Sequence, residues 1–260
     1  MTPPRGMLYL VPNTLDFGLH GELAPLDDLL PMGVIRFAAR LEHWVGENAK
    51  TTRAFLKRVD AVCPLARPLQ AISIFELPRP AKGRVASGGD IDGADAMVAL
   101  LAPALAGHDL GLISEAGLAA LADPGAQLVA AAHAAGVSVT ALPGASAISL
   151  AVAASGLHGQ SFAFVGYLPV ESQARSARIR ELEELSRRHV QTQLMIETPY
   201  RNQALLQALV AQLRPQTSLA VCIGLTTHAE STVSRTVAAW RSATIELPLD
   251  VPAVFSFLGR

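Results

Sequence analysis

Residues 110–147 read LGLISEAGLAALADPGAQLVAAAHAAGVSVTALPGASA: two short apolar runs, each followed by a loop of small residues. The runs Leu110–Ser114 and Val137–Leu142 are bounded by turn-forming residues and have the length of buried strands. Between them, Asp123 followed by Pro124 is a common start for a helix, which the alanine-rich sequence then continues. This strand–helix–strand order is typical of a parallel sheet covered by helices.

The sequence before this stretch alternates in the same way. Three more strands and two helices are predicted, in chain order Met7–Val11, His43–Gly46, Ala49–Val59, Ala71–Phe75 and Ala94–Ala106. The segment Pro78–Gly93 holds two prolines and four glycines, which predicts a long loop. We therefore predict an N-terminal α/β domain, residues 1–143, with a mostly parallel sheet and helices on both faces.

The remaining sequence has fewer helices per strand. The predicted strands are Phe162–Val165, Gln193–Ile196, Leu219–Ile223 and Ala253–Phe257, and the predicted helices are Ser172–Arg188 and Asn202–Leu213. The stretch Ser231–Trp240 is rich in Ser, Thr and Val and predicts a further strand or hairpin arm. These patterns predict a C-terminal α/β domain, residues 144–260, with a mixed or antiparallel sheet and helices.

Composition excludes several classes of protein. The formal net charge is −1, so no overall basic field attracts nucleic acid, although a local basic face remains possible. The two cysteines lie far apart and the seven histidines show no HxxxH or HxH spacing, so we expect no metal site. The apolar runs are too short to span a membrane, and we expect a cytoplasmic protein.

Three loops follow predicted strands, at the sheet edge where α/β proteins bind ligands. They are Pro12–Thr14, Ser114–Gly117 continuing to Asp123–Gly125, and Pro143–Ala147. Small residues let a ligand approach the backbone, and Glu115 or Asp123 could accept a hydrogen bond from a ribose hydroxyl or an amino group. Alternatively, these are ordinary turns, with Asp123 capping a helix and Gly144 permitting a tight bend. No dinucleotide-binding or P-loop glycine motif is present.

A larger set of segments forms an ordered pattern over almost the whole chain. Its members are Ser114-Glu115-Ala116-Gly117, Ala122-Asp123-Pro124-Gly125, Pro143-Gly144-Ala145-Ser146-Ala147, Gly166-Tyr167-Leu168-Pro169 and Glu197-Thr198-Pro199-Tyr200-Arg201. This pattern resembles the tetrapyrrole-methylase-fold methyltransferases, in the branch of the bacterial small-subunit rRNA cytidine ribose-2′-O-methyltransferases. The resemblance implies a homodimer in which the two α/β domains of each chain enclose S-adenosylmethionine, with S-adenosylhomocysteine as the product.

The resemblance also implies which residues contact the cofactor. They are Pro12, Ser114, Glu115, Ala116, Gly117, Ser146, Ala147, Leu168, Glu197, Thr198 and Pro199. Asp123, as a hydrogen-bond acceptor, and Gly144, by close backbone approach, complete the candidate cofactor site. Tyr167 and Tyr200 are interpreted as rings that stack on adenine or on a substrate base, or alternatively as half-buried core tyrosines.

The segment Glu47–Arg53 lies where the family has Glu-Asp-Thr-Arg-x-Thr-Arg. Glu47, Thr52 and Arg53 match that motif, whereas Asn48, Ala49 and Lys50 depart from it. The family's Tyr-His-Glu-His-Asn stretch is also absent. We therefore expect a divergent member, in which Glu47, Lys50 and Arg53 position or activate the methyl acceptor.

Both of these assignments have simpler alternatives. Lys50, Arg53 and Lys57 recur at helical spacing, which fits either a phosphate-contacting face or a solvated helix face. Glu47 is either a general base or orienting acceptor, or a carboxylate that stabilises the start of a helix.

The arginines of the predicted helix Ser172–Arg188 resemble an RNA patch. Their i,i+4 pairs Arg180–Glu184, Glu183–Arg187 and Glu184–Arg188 favour a salt-bridged, solvated helix instead.

The function predicted from these observations is methyl transfer from S-adenosylmethionine to RNA, at a ribose or a base. One alternative keeps the chemistry and replaces RNA by a tetrapyrrole or another small molecule. A second alternative is a non-catalytic relative that binds the cofactor or a protein partner.

Overall fold

The chain forms two compact units, one comprising most of the sequence up to Ala145 and the other Ser146–Arg260. The structure, a computed structural model, describes residues 5–16, 23–78, 91–243 and 245–260, with residues 91–94 described by their backbone alone. Each unit is built around a sheet of five strands. Most of the predicted loop Pro78–Gly93 lies outside the described residues.

The first unit is an α/β layer structure. Its elements are β1 (Leu8–Val11), α1 (Leu26–Leu29), α2 (Met32–Ala38), β2 (His43–Gly46), α3 (Ala49–Val62), β3 (Ser73–Glu76), α4 (Ile91–Leu100), α5 (Ala102–Leu105), β4 (Leu110–Ile113), α6 (Ala126–Ala134) and β5 (Val139–Ala141). The strand order is β3-β2-β4-β1-β5, and every neighbouring pair is parallel. This arrangement confirms the predicted parallel sheet.

Both faces of this first sheet are covered, because successive strand residues point to opposite sides. Trp44 belongs to a core with Phe55 and Leu56 of α3. Its neighbour Val45 belongs to a second core with Leu112 and with Leu128 of α6. The strands are therefore mostly apolar, and the polar residues within them include His43 of β2, Ser73 and Glu76 of β3 and Thr140 of β5.

The second unit has a mixed sheet, as predicted. Its elements are α7 (Ala147–Ser155), β6 (Phe162–Tyr167), α8 (Ser172–His189), β7 (Thr192–Ile196), α9 (Asn202–Gln212), β8 (Ser218–Ile223), β9 (Ser231–Thr236), α10 (Val237–Arg241) and β10 (Ala253–Leu258). The strand order is β6-β7-β10-β8-β9, with only β6 and β7 parallel among the pairs of the described strands. Helices α8, α9 and α10 pack on one face around Trp240, Phe255 and Phe257.

Several predicted elements differ from the structure; the single helix expected over Ala94–Ala106, for example, is divided into α4 and α5. The helix expected to begin at Asp123–Pro124 begins at Ala126, with Gly125 at φ 123° in the N-cap position, so Asp123 does not cap it. The strand or hairpin arm expected over Ser231–Trp240 ends at Thr236, whose hydroxyl accepts a hydrogen bond from the Ala239 N–H at 3.3 Å and starts α10. The composition of Ser231–Trp240 favoured a strand over its whole length, but the Thr236 side chain caps a helix there instead.

Helix α8 is salt-bridged, and of the three expected i,i+4 pairs only Glu184–Arg188 forms among the described residues. Glu184 contacts Arg187 at 3.1 Å and Arg188 at 4.0 Å. Arg180 instead donates to Gln212 Oε1 at 2.6 Å. Glu183 is buried and accepts from the Thr217 hydroxyl and from the Arg214 N–H. No helix within the described ranges is both long and apolar enough to cross a membrane.

Candidate functional site

The carboxyl ends of β1, β2, β4 and β5 lie along one edge of the first sheet because these strands are parallel. Four loops follow them: residues 12–16 after β1, 47–48 after β2, 114–117 after β4 and 142–144 after β5. Ligands of open α/β sheets bind at this edge. The structure therefore brings together the first-unit residues that the sequence predicted: Pro12, Glu47, Lys50, Arg53, Ser114, Glu115, Ala116, Gly117, Asp123 and Gly144.

The β1 loop and the β4 loop are joined by hydrogen bonds. The Asn13 side-chain amide donates to the carbonyl oxygens of Ser114, at 3.1 Å, and Glu115, at 3.0 Å. The backbone N–H of Asn13 donates to Gly117 O at 2.8 Å, and the Gly117 N–H donates to Thr14 O at 3.2 Å. Gly117 adopts φ 69°, a conformation that favours glycine. The backbone of the candidate cofactor loop is thus fixed from a neighbouring strand.

A second contact anchors the β1 loop to α3. Arg58 pairs with Asp16 at 3.1 Å and donates to the Thr14 hydroxyl oxygen at 3.1 Å. The Thr14 hydroxyl in turn donates to Asp16. The sequence placed Asn13 in a candidate ligand loop without assigning it a contact, and it did not identify Arg58. The signal for Asn13 was its position directly after a buried strand, whereas nothing in the sequence pairs Arg58 with a residue 42 positions away.

Three carboxyl groups lie near one another at this edge. Glu47 Oε1 accepts the Glu115 N–H at 3.1 Å, and the Thr51 hydroxyl donates to Glu115 Oε1 at 2.6 Å. Burial raises the pKa of Glu47, partly offset by the hydrogen bond from the Glu115 N–H. Burial, together with the negative charges of Glu47 and Glu115, raises the pKa of Asp123 to about 7. One of the three groups is therefore partly protonated at neutral pH.

Two backbone N–H groups at the start of α3 have acceptors other than Glu47. The Asn48 side chain accepts from the Lys50 N–H at 2.8 Å, and Glu76 accepts from the Ala49 N–H at 2.7 Å. Lys50 and Arg53 are exposed in the first turns of this helix. Among the described residues, neither side chain forms an ion pair. Arg53 Nη1 donates to Ala49 O at 3.4 Å, and both cations are exposed within the described part of the chain.

A cavity of about 680 Å³ lies in the first unit, beside the ends of β1 and β5. Residues 118–121 and 141–144 line it, together with Leu10, Ala126 and Val129. Its lining residues are apolar, and five of the eleven are alanine or glycine. Pockets of a few hundred cubic ångströms that combine an apolar wall with nearby polar groups are typical of small-molecule sites.

The other predicted cofactor residues lie in the second unit. Ser146 is buried at the N-cap position of α7, and Ala147 is the first residue of that helix. Because β6 and β7 are parallel with Tyr167 opposite Ile196, their ends place Leu168 and the residues Glu197–Pro199 at one edge of this sheet.

Side chains at this second edge differ in exposure. Leu168 is buried, and Glu197 is buried while pairing with Arg201 at 2.8 Å and accepting from the Thr198 N–H at 2.9 Å. Tyr167 and Tyr200 are 59% and 69% exposed, so the interpretation of both as half-buried core residues was wrong. Within the described ranges, no group of three His, Cys, Asp or Glu side chains is arranged to hold a metal ion.

Comparisons with known proteins agree with this architecture. The family described as Tetrapyrrole (Corrin/Porphyrin) Methylases matches residues 28–239. The Ribosomal RNA small subunit methyltransferase I of Mycobacterium bovis is 40% identical over 151 residues, which is 58% of this chain and 52% of that protein. The protein of the same name from Halalkalibacterium halodurans is 32% identical over 197 residues, 76% of this chain and 57% of that protein. The chain thus spans about half the length of the curated relatives it matches.

A solved structure shares the fold at low sequence identity. Uroporphyrin-III C-methyl transferase from Thermus thermophilus, complexed with S-adenyl homocysteine, superposes with a TM-score of 0.51. It is 17% identical, and the match covers 97% of each chain. This likeness shows the fold of two α/β units.

Proposed function

Because the chain belongs to the tetrapyrrole (corrin/porphyrin) methylases, we propose that it transfers a methyl group from S-adenosylmethionine to ribosomal RNA. The observation that carries the proposal is the hydrogen-bonded pair of loops at residues 13–14 and 114–117, beside a cavity of about 680 Å³. The names of the relatives support RNA as the acceptor. The protein acts as a cytoplasmic homodimer in this proposal.

The residues present fit the cofactor. Gly117 leaves the β4 loop without a side chain at its turn, and the small residues of the cavity wall leave room for a compact nucleoside. Ser114, Glu115 and Ala116 offer backbone and side-chain polar groups next to that turn. In the second unit, Ser146, Ala147, Tyr167, Leu168 and the Glu197–Pro199 loop are the proposed contacts. S-adenosylmethionine supplies an electrophilic methyl group on a sulfonium, so the chain's task is to bind and orient.

The acceptor is proposed to contact the start of α3. Lys50 and Arg53 are exposed there and would pair with backbone phosphates, which compensates for a chain whose net charge is −1. Glu47, held by the Glu115 N–H at the same sheet edge, orients or activates the acceptor group. Tyr200, largely exposed, offers a ring for stacking on a base.

The test is calorimetric titration of the protein with S-adenosylmethionine and S-adenosylhomocysteine, followed by transfer of labelled methyl groups to small-subunit ribosomal RNA. We expect micromolar binding, and ligand at one hundred times Kd should stabilise the fold by about 2.7 kcal/mol. A folded protein that binds neither compound would overturn the proposal. If the protein binds the cofactor and methylates a uroporphyrinogen but not RNA, its function is tetrapyrrole methylation instead.

Two glycines provide a matched pair of variants for the cofactor site. Gly117 and Gly156 both have φ 69°, but Gly117 lies in the β4 loop, whereas Gly156 ends α7 and a methyl group there would have no neighbour within 4 Å. Both substitutions by alanine carry a similar backbone cost of about 1 kcal/mol. Only Gly117→Ala should also weaken cofactor binding, and equal Kd values for the two variants would remove the β4 loop from the site.

A further inference from the structure

Glu47 and Ser114 continue one face of the first sheet, and the segment that carries Asp123 packs against that face. Val45 and Leu112 belong to the core beneath α6, and Glu47 and Ser114 follow them by two residues, so strand alternation continues that face. The segment that carries Asp123 packs on the same face: Ala119 belongs to this core, and a Cβ at Gly125 would lie 3.0 Å from Leu112 Cδ2.

Two polar groups on this face lack partners in the part of the chain that the structure describes. The Ser114 hydroxyl belongs to a side chain only 3% exposed and forms no hydrogen bond. The Asp123 carboxyl group, partly buried, accepts no hydrogen bond from a described residue. Buried polar atoms in native proteins are almost always paired. The unpaired buried Ser114 hydroxyl, on the face against which the Asp123 segment packs, therefore indicates the place of a polar ligand atom.

We propose that Asp123 accepts the proton of the acceptor hydroxyl during methyl transfer, with Glu47 as a neighbouring charge at the same sheet edge. This proposal rests on the proposed function and assigns a proton acceptor for that same reaction. The Ser114 hydroxyl would donate to, or accept from, the same acceptor group. The role differs from the cofactor contact that the sequence predicted for Asp123.

The step balances without a further reactant. The Asp123 carboxylate takes the proton of the acceptor O–H group and becomes a neutral acid. The electron pair left on the acceptor oxygen forms the new bond to the methyl carbon. As that bond forms, the bond between methyl carbon and sulfur breaks, and its electron pair remains on sulfur, which leaves as the neutral thioether of S-adenosylhomocysteine.

The surroundings of Asp123 make it a stronger base than an ordinary carboxylate. Burial raises its pKa most, and the negative charges of Glu47, after β2, and Glu115, after β4, raise it further, to about 7. A base with a pKa near the working pH is the most effective in proton transfer. A hydroxyl is a poor nucleophile until its proton is removed, so this arrangement favours a ribose hydroxyl over a ring nitrogen.

The first experiment measures single-turnover methyl transfer by the full chain at saturating S-adenosylmethionine. Asp123→Asn is expected to lower the rate at a pH of about 7.5 by about 100-fold while leaving the calorimetric Kd for S-adenosylhomocysteine within about twofold. Asp28→Asn, on exposed α1, is the matched control and should keep the wild-type rate. Equal rates for Asp123→Asn and the wild type would overturn the inference. So would a parallel loss of cofactor affinity, which would make Asp123 a cofactor ligand.

A second readout does not depend on turnover. The carboxyl carbon of Asp123, followed by NMR in the ligand-free protein, should titrate near pH 7, and Glu47→Gln should move that titration to lower pH because a negative charge is removed. The pH–rate profile should move the same way. An unchanged titration in Glu47→Gln contradicts the coupling. A wild-type protein that binds no cofactor overturns the proposed function and this inference together, whereas an active Asp123→Asn overturns the inference alone.

Discussion

Gly144 lies so close to Pro12 that a Cβ at position 144 would come within 2.5 Å of Pro12 Cγ. Pro12 follows β1 and Gly144 follows β5, and these strands are neighbours in the parallel sheet. Gly144 does not have a positive φ, so the position requires space rather than conformational freedom. The loops after β1 and β5 thus pack directly against each other at the candidate cofactor edge.

Gly144→Ala is expected to destabilise the protein by about 2 kcal/mol, since the added methyl group must displace a proline ring fixed by the neighbouring strand. Urea denaturation measures the change. Gly33→Ala is the control: Gly33 lies in α2 with nothing within 4 Å of a Cβ, so alanine there should be neutral or stabilising by up to about 1 kcal/mol. Pro12→Gly should restore part of the loss in the double variant. Equal stability of the two alanine variants would show that the loops adjust without cost.

Asn13→Ala is expected to lower stability by about 1–2 kcal/mol and to weaken cofactor binding, because the carbonyl groups of Ser114 and Glu115 lose their side-chain donor. Gln203→Ala is a matched control. The amide of Gln203 also joins separate segments, accepting from the Leu247 N–H and donating to Ile245 O, but it lies in α9 of the second unit. Calorimetry should show a weaker cofactor affinity for Asn13→Ala alone, and an unchanged Kd would contradict its positioning role.

The strands and the edge that carries the loops could be predicted from sequence because the signals are local. Runs such as Leu110–Ile113 are apolar throughout and end at polar or small residues, which is what burial on both faces of a parallel sheet requires. The start of α6 could not be predicted in this way. Ala120 and Ala122 adopt positive φ values, and Gly125 packs over Leu112, so contacts with the sheet override the local preference of Asp123 and Pro124 for a helix start.

The site was predictable as a set of loops but not as a set of contacts. Glu47 and Glu115 could be singled out as polar residues after strands, yet the hydrogen bond between them spans 68 positions. The same holds for α8, because helical periodicity predicts contacts only between residues of the same helix. Glu183 in fact binds Thr217, 34 positions away.

Ionisation of Asp123 is expected to lower stability as the pH rises. Its pKa is raised from the ordinary 3.8 to about 7, so the folded state retains the proton to higher pH than the unfolded state. The contribution of the Asp123 carboxyl group to the free energy of unfolding is therefore fully present below about pH 4 and is lost as the pH rises through about 7. Asp123→Asn removes this loss. Its free energy of unfolding should exceed that of the wild type by about 1 kcal/mol at about pH 8, a value discounted for partial solvation, and should differ little from it at about pH 4. Urea denaturation at both pH values measures this, and a pH-independent difference would show that the carboxyl group keeps an ordinary pKa.

Lys50→Ala is expected to weaken RNA binding uniformly across sequences, because an exposed lysine in the first turn of α3 would contact phosphate and not a base edge. Binding measured over a range of salt concentrations should show the slope of log K against log salt reduced by about 1 for this variant. Lys50→Arg should keep most of the slope, since the charge remains. Arg36→Ala, an exposed cation of α2, is the control and should leave both affinity and slope unchanged. Parallel lines for wild type and Lys50→Ala would mean that α3 presents a solvated face and that the RNA is bound elsewhere.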